Sequence, residues 1–211
     1  MNRLVATIST LVAACVLFWF FPLFHVVPRG TTLAEKQQVA FDAADYVKKF
    51  WAEKLTPTFG QAADAATVLA ALRDDPQHAR ADFGRSVGLG RATLYFTRGS
   101  GKIVSVDDKA IGVSLAADGS RADVAIQTGL LFGNTIRDAT GLIHGDDFAN
   151  SQHFNKVSTE LNRVVETTVI PRLIQQAKVG AAIEFVGCAE VTNLPRDVAP
   201  LKVIPLDVKV K

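Results

Sequence analysis

The chain has 211 residues, of which 23 are basic and 21 acidic. This length provides room for one apolar segment and one domain of ordinary size. Arg3 is the only charged residue before Pro28, so the remainder carries 22 basic and 21 acidic residues. Because binding to phosphates requires a concentrated basic surface, this balance excludes nucleic acid as the main partner.

The first long feature is an apolar run at residues 4–27, LVATISTLVAACVLFWFFPLFHVV, which has no formal charge. As a helix, 24 residues would span about 36 Å, enough to cross a bilayer with some tilt. Since Arg3 precedes the run, its start is expected in the cytoplasm and everything after Val27 outside it. The sequence therefore predicts a protein anchored in the bacterial inner membrane, with its folded part on the periplasmic face.

Cys15 lies within this run and leaves two forms of anchor open. Val12-Ala13-Ala14-Cys15 is typical of a lipobox, in which the chain is cut before a cysteine that is then lipidated. In the alternative, the run is never cut and remains a transmembrane helix. The twelve apolar residues after Cys15 favour the uncut anchor, because a lipoprotein usually has a polar tether at that point.

The second of the two cysteines, Cys188, lies in the extended-looking segment IEFVGCAEV. Because the folded part contains no second cysteine with which Cys188 could pair, the disulfide framework of small secreted domains is excluded. We expect a buried, unreactive thiol that packs as a small apolar side chain.

The chain divides into the anchor (1–27), a linker (28–40) and one periplasmic domain (41–211). Three helices are expected at the start of the domain. Asp42 caps DAADYVKKFWAEKL, which ends near Pro57; Asp64 caps DAATVLAALRDD; Asp75 opens a shorter third helix.

From Ala92 the apolar period changes from helical to two, which predicts strands. ATLYFTR and KIVSVD are expected to form a hairpin that turns at Gly99 and Gly101, and KAIGVSL and ADVAIQT a second pair. A short helix, GNTIRDATG, and a long helix that Pro171 kinks or ends precede two final strands, AAIEFVGCAEV and LKVIPLDVKV.

This order of elements predicts an α+β fold. It consists of an N-terminal membrane helix, a helical segment, and a small antiparallel, OB-like β-barrel with one long helix inserted. A two-layer α/β sandwich is the alternative topology.

Catalytic signatures are missing: the sequence has no Gly-x-Ser-x-Gly elbow, no phosphate loop and no His-Glu-x-x-His. We therefore predict no catalytic residue and no cofactor. The segment HGDDFANSQH offers a metal site as an alternative, with His144, Asp146, Asp147 and His153 as ligands. The favoured interpretation is that Asp146, Asp147, Asn150 and Ser151 are turn and capping residues at the start of the long helix.

A second polar segment is LFGNTIRDATG. Asn134 is expected to cap the short helix, and Arg137 and Asp138 to form or join a buried ion-pair network. Free N–H groups at a helix start also attract anions or sugar hydroxyls. Fixation of the loop is the favoured role, because paired polar groups beside a core are usually architectural.

Several segments in a fixed order resemble a family of predicted periplasmic lipoproteins of unknown function, whose genes often lie beside sugar ABC transporters. These segments are FDAADYVKKFWAEKL, TVLAALRDDP, GLG, IQTG, FGNTIRDATG, DDFAN, LNRVVE followed by IPRL, EFVG and LKVIPLDV. The resemblance extends from Phe41 to the C-terminus. It implies shared polar positions at Gly133, Asn134, Arg137, Asp138, Asp147, Phe148 and Asn150, whereas Ser151 departs from the expected residue.

From these observations, the leading hypothesis is a non-enzymatic accessory or binding protein that is tethered to the membrane and assists a sugar (solute) ABC importer or its solute-binding protein. Its polar cluster, Asn134, Arg137, Asp138, Asp147 and Asn150, would bind a ligand or fix the loops. The alternatives are a small metal- or carboxylate-dependent hydrolase of the envelope and an envelope scaffold.

Overall fold

A computed structural model describes residues 41–87, 91–116, 119 and 121–211. The predicted anchor, Cys15 and the predicted linker lie outside the described residues. None of the described helices has both the length and the apolar character needed to cross a bilayer. Residues Asp42–Lys211 form one compact unit.

The predicted first helix is present as α1, Ala43–Phe50, and continues as a π-helical turn, Trp51–Leu55. Asp42 caps it as expected, because its Oδ1 accepts hydrogen bonds from the N–H groups of Ala44 and Asp45. A 3-10 helix, Thr56–Gln61, follows and contains Pro57 near its start.

The next two helices are also confirmed. They are α2, Ala65–Asp74, which Asp64 caps, and α3, Pro76–Phe83, which Asp75 caps. Two-residue strands lie on either side of this helix pair: β1, Ala63–Asp64, and β2, Gly84–Arg85.

Five longer strands complete the sheet: β3, Thr93–Val106; β4, Ala110–Ser114; β5, Val124–Gln127; β6, Ala182–Val191; and β7, Leu201–Val210. Their hydrogen-bonded order is β3-β4-β5-β7-β6, and β6 pairs in turn with β3. The pairings therefore form a closed cycle, in which each of these five strands has two neighbours.

The predicted hairpin at Gly99 and Gly101 is wrong, since β3 runs without a turn through both glycines. Its first part, up to Lys102, pairs with β6, whereas its last part, from Lys102 onward, pairs with β4. The two glycines allow neighbouring groups to approach the strand closely. A Cβ at Gly99 would overlap the ring of Phe185, and a Cβ at Gly101 would overlap the carbonyl of Ser114.

The sheet is mixed, which corrects the prediction that it is antiparallel. β5 and β7 pair in parallel, as do β1 and β3. The reason lies in the chain path. β4 is antiparallel to both β3 and β5, and β6 is antiparallel to both β3 and β7, so β5 and β7 run in the same direction and can pair only in parallel.

The helical segment between β5 and β6 begins with α4, Thr135–Thr140, and a 3-10 turn, Gly145–Asp147. The long predicted helix follows as α5, Ser151–Val164, a π-helical turn, Val165–Val169, and α6, Ile170–Gln176. Pro171 thus lies directly after the π-helical turn, where a missing backbone donor is tolerated. A single turn of helix, α7, Leu194–Asp197, joins β6 to β7.

The main core joins side chains from all five long strands to Val68, Leu69 and Leu72 of α2. α4 packs on β3 and β6. Cys188 of β6 is fully buried, and burial raises the pKa of its thiol, as expected for an unreactive cysteine.

Candidate functional site

Arg137, in the predicted polar cluster, is a buried guanidinium held by contacts from several directions. Its Nε and Nη2 donate to the two carboxylate oxygens of Asp138, at 2.6 and 3.1 Å. Its Nη1 lies 3.5 Å from both the carbonyl oxygen of Phe154 and the Oδ1 of Asn155. These contacts join α4 to the first turns of α5, and the predicted ion pair is therefore present.

Aromatic rings extend this arrangement toward α1. The Arg137 Cζ lies 3.6 Å from the centroid of the Phe154 ring, a cation–π geometry. Phe154 contacts Phe148 at 5.5 Å between centroids, and Phe148 contacts Tyr46 edge-on at 5.3 Å. Burial and the nearby charge of Asp147 raise the pKa of Tyr46. The rings thus link the short helix, the long helix and the first helix of the domain.

Asp147 and Asn150 of the segment HGDDFANSQH act as caps. Asn150 Oδ1 accepts from the backbone N–H of His153 at 2.9 Å at the start of α5, and Asp147 Oδ2 accepts from that of His144 at 3.1 Å. Among the described residues, no three His, Cys, Asp or Glu side chains converge to hold a metal ion. The structure therefore does not bring His144, Asp146, Asp147 and His153 together as a set of metal ligands.

Asn134 stands at the N-cap position of α4, but its side chain makes no capping hydrogen bond, contrary to expectation. The loop before α4 is fixed by α5 and the π-helical turn instead. Glu166 Oε1 accepts from the Leu131 N–H at 2.6 Å, and Asn162 Nδ2 donates to the Gly133 carbonyl at 3.1 Å. Neither Glu166 nor Asn162 was predicted, because only the tertiary packing brings them to this loop.

Together these contacts indicate that the predicted cluster has a structural role. Arg137 and Asp138 satisfy each other, and Asn150 and Asp147 satisfy backbone donors. Since paired polar groups are already committed, they offer a ligand few remaining hydrogen bonds.

A different region offers more chemistry, a cavity of about 640 Å³ between the 3-10 helix and the outer side of β3, β6 and β7. We call it the polar cleft. Its charged and aromatic lining residues are Phe59, Asp64, Arg98, Glu184, Phe185, Asp207 and Lys209.

Strand register places the charged residues of the cleft in adjacent rows. Arg98 and Asp207 both pair with Val186, one from each side of β6. Ser100 and Lys209 flank Glu184 in the same way. Because side chains two residues apart on a strand share a face, both rows project into the cleft.

Several of these groups keep hydrogen-bonding capacity. Arg98 uses its Nε to donate to the Ala62 carbonyl at 3.2 Å, and its two terminal nitrogens have no acceptor within the described part of the chain. Among the same residues, Asp207 and Lys209 have no ion-pair partner within 4 Å. By contrast, Asp64 Oδ1 is committed to Thr67 at the start of α2, and Glu184 binds the Lys211 ammonium.

The charge of the cleft is mixed, with two cations beside three carboxylates. The Lys211 ammonium lowers the pKa of the Glu184 carboxyl, and Lys209 adds to this effect. A site of this kind favours neither a strong anion nor a strong cation. It can donate and accept hydrogen bonds to an uncharged polar molecule at several points.

The polar cleft was not predicted from the sequence. The only local signal was the alternation of charged and apolar residues along the strands, as in Glu184, Phe185 and Val186 or Asp207, Val208 and Lys209. Alternation predicts an outward face. It does not predict which strands are neighbours, and the cleft exists because β6 lies between β3 and β7.

The structure is similar to the crystal structure of an OB-fold protein from Thermotoga maritima, with a TM-score of 0.69 and 28% sequence identity. The match covers 81% of this chain and 99% of that one. The predicted OB-like fold is thereby confirmed. Comparison with proteins of curated function gave no match.

The sequence profile of one family, described as "Predicted periplasmic lipoprotein (DUF2291)", matches residues 12–209. This range includes Cys15 and all of the domain except Val210 and Lys211. It confirms the resemblance seen in the ordered sequence segments. The chain belongs to this family of predicted periplasmic lipoproteins.

Proposed function

We propose that this protein is a membrane-tethered periplasmic accessory protein that binds a small, uncharged polar solute, a sugar, in the polar cleft. The observation that carries the proposal is the pair of rows in which Arg98, Asp207 and Lys209 face one cavity without ion-pair partners among the described residues. Arg98 and Lys209 are exposed and Asp207 is partly exposed, so water can solvate these groups and a ligand in the cleft would take the place of that water.

The chemistry of the lining suits a polyol. Each sugar hydroxyl both donates and accepts a hydrogen bond, so it can lie between a guanidinium and a carboxylate. Phe59 supplies an apolar surface at the edge of the cleft, against which the C–H face of a sugar ring can pack. The volume of about 640 Å³ falls in the range of small-molecule sites.

A titration tests the binding proposal. Full-length protein in nanodiscs would be titrated with neutral monosaccharides by isothermal calorimetry, with empty nanodiscs as the blank. We expect binding by at least one sugar, and Arg98→Gln to weaken it about tenfold, because charge-assisted hydrogen bonds are lost. Lys202→Gln, an exposed change on β7 away from the cleft lining, is the matched control. Absence of binding across the panel would reject the proposal.

The fold supports this use of the cleft. We propose that the closed cycle of β3, β4, β5, β7 and β6 is a small OB-like barrel, with the core cluster inside it and the cleft on its outer side. OB-folds bind oligosaccharides and oligonucleotides on their strand surfaces, although the cleft uses a different set of strands from the usual one.

For the tether, two forms remain in competition: lipidated Cys15 and an uncut helix at residues 1–27. The family profile begins at residue 12, three residues before the cysteine, which supports lipidation. The length of the apolar run supports the uncut helix. We place the domain, residues 41–211, on the periplasmic face of the inner membrane, joined to the anchor by the linker 28–40. The intact mass of protein purified from membranes distinguishes the two forms, since cleavage and acylation both change it.

The partner we propose is a sugar ABC importer or its solute-binding protein. The support is the family resemblance together with a cleft suited to sugars. Deletion of the gene should reduce sugar uptake, and a tagged copy should retain an importer component from solubilised membranes. If uptake is unchanged and no importer component is retained, this part of the proposal is wrong, whatever the cleft binds.

A further inference from the structure

A second cavity, of about 730 Å³, lies on another side of the domain and has no lining residue in common with the polar cleft. We call it the Arg80 cavity. It is bounded by the α2–α3 pair, the start of β3, the end of β6 and α7. The residues on which the following inference depends are Leu72, Arg80, Thr93, Tyr95, Val191 and Leu194.

The floor of the Arg80 cavity is apolar. Leu72, Tyr95 and Val191 are each buried and belong to the main core. Leu194 of α7 and Pro76 of α3 add apolar surface nearer the rim. A ligand that enters this cavity can therefore place an apolar body directly against the core.

One cationic side chain lines the cavity. Arg80 Nε donates to the Thr93 hydroxyl at 2.7 Å, and its Nη2 lies 3.3 Å from the Arg91 carbonyl oxygen. These two bonds orient the guanidinium, whereas its Nη1 has no acceptor among the described residues. The carboxylate in the lining, Asp75, accepts from the backbone N–H groups of Gln77 and His78 and is thus committed to the start of α3.

Tyr95 supplies a second donor close to Arg80. Burial raises the pKa of Tyr95, although the Arg80 charge and a hydrogen bond with Thr93 offset part of the rise. The hydroxyl therefore stays protonated at neutral pH and can donate. The Arg80 guanidinium, the Thr93 hydroxyl and the Tyr95 phenol thus line the same cavity as the apolar side chains.

We propose that the Arg80 cavity binds a small amphipathic monoanion, with its apolar body on Leu72, Val191 and Leu194 and its carboxylate held by Arg80 and Tyr95. The two cavities therefore differ in chemistry. The polar cleft has two cations and three carboxylates for a neutral polyol, whereas the Arg80 cavity has one cation, one carboxylate that already accepts two backbone hydrogen bonds, and an apolar floor.

The test measures the binding of 4-phenylbutyrate to full-length protein in nanodiscs by isothermal calorimetry. Empty nanodiscs are the blank. 4-Phenyl-1-butanol has the same apolar body without the charge. We expect the acid to bind at least tenfold more tightly than the alcohol. Arg80→Gln should remove most of this preference, whereas Arg121→Gln, an exposed arginine outside the cavity, should leave it unchanged.

A second variant tests the location. Leu194→Trp fills the cavity from its partly exposed rim and should weaken binding of the acid at least tenfold while leaving the melting temperature near that of the wild type. The inference is overturned if the acid does not bind, if the alcohol binds equally well, or if neither Arg80→Gln nor Leu194→Trp weakens binding. Sugar titrations of the same variants report on the polar cleft separately, since the cavities share no residue.

Discussion

Arg137 and Asp138 are adjacent in the sequence, and their side chains form a two-point ion pair, with Nε to Oδ1 at 2.6 Å and Nη2 to Oδ2 at 3.1 Å. Only 5% of the arginine side chain and 12% of the aspartate side chain are exposed. The pair lies where α4 meets α5, and the Phe154 ring covers the guanidinium. Loss of either partner would leave a buried charge at the centre of this helix contact.

Asp138→Ala is therefore expected to lower the free energy of unfolding by about 3 kcal/mol, because an unpaired guanidinium remains buried. The double variant Arg137→Met, Asp138→Ala should recover at least half of the loss, since it removes the charge as well as its partner. Urea denaturation followed by circular dichroism measures both. If the double variant is less stable than the single one, the ion pair itself stabilises the fold and the explanation is wrong.

In the loop before α4, neighbouring residues differ in solvent exposure. Leu131 is 6% exposed, whereas Leu130 and Phe132 are 78% and 79% exposed. We expect Leu131→Ala to destabilise the domain by about 2–3 kcal/mol, through the loss of buried apolar contacts. Leu130→Ala and Phe132→Ala should each change stability by less than about 0.5 kcal/mol. Thermal melts of the three variants check the order, and equal losses would show that the loop packs differently.

Most helices could be predicted from sequence because their signals are local. Asp42, Asp64, Asp75 and Asn150 each precede an apolar helical pattern, and each caps the helix that was expected. The π-helical turns at Trp51–Leu55 and Val165–Val169 could not be predicted, because an extra residue in a turn leaves the apolar pattern almost unchanged.

The candidate sites were harder to predict, because most of their contacts are not local in the sequence. The Arg137–Asp138 pair is local and was expected. The polar cleft and the Arg80 cavity assemble residues more than one hundred positions apart, and their contact depends on which strands become neighbours. Alternation along a strand predicts which residues share a face of the sheet. It does not predict the order of the strands in the sheet.

Gly101 illustrates this limit and provides a prediction. It resembles a turn glycine in the sequence, yet it lies within β3, where a Cβ would overlap the backbone carbonyl of Ser114 in β4. Gly101→Ala should cost about 1–3 kcal/mol, since backbone rather than a flexible side chain must move. Gly60→Ala is the control, because nothing lies within 4 Å of its added Cβ. Chemical denaturation of both variants measures the difference, and a tolerated alanine at Gly101 would argue against the continuous strand.

Ser158 has a buried hydroxyl in α5 without a hydrogen-bond partner among the residues that the structure describes. We expect Ser158→Ala to stabilise the domain by about 1 kcal/mol, because it removes an unpaired polar group and improves helix propensity. Ser158→Val, which also removes the hydroxyl but enlarges and branches the side chain, serves as a comparison. A lower melting temperature for Ser158→Ala would show that the hydroxyl has a partner, such as a buried water.

Asp197 gives the domain a predictable response to acid. Its carboxylate accepts hydrogen bonds from the backbone N–H groups of Asn193 at 2.7 Å and Thr192 at 2.9 Å, and these bonds lower its pKa. Because the pKa is lower in the folded state, the carboxylate stabilises the fold above about pH 3.9 and loses this effect as the pH falls through the lowered value. Asp197→Asn should therefore flatten the stability curve below about pH 4 relative to the wild type, which denaturation at a series of pH values measures. If the two curves stay parallel over this interval, the hydrogen bonds to Asn193 and Thr192 do not favour the charged form.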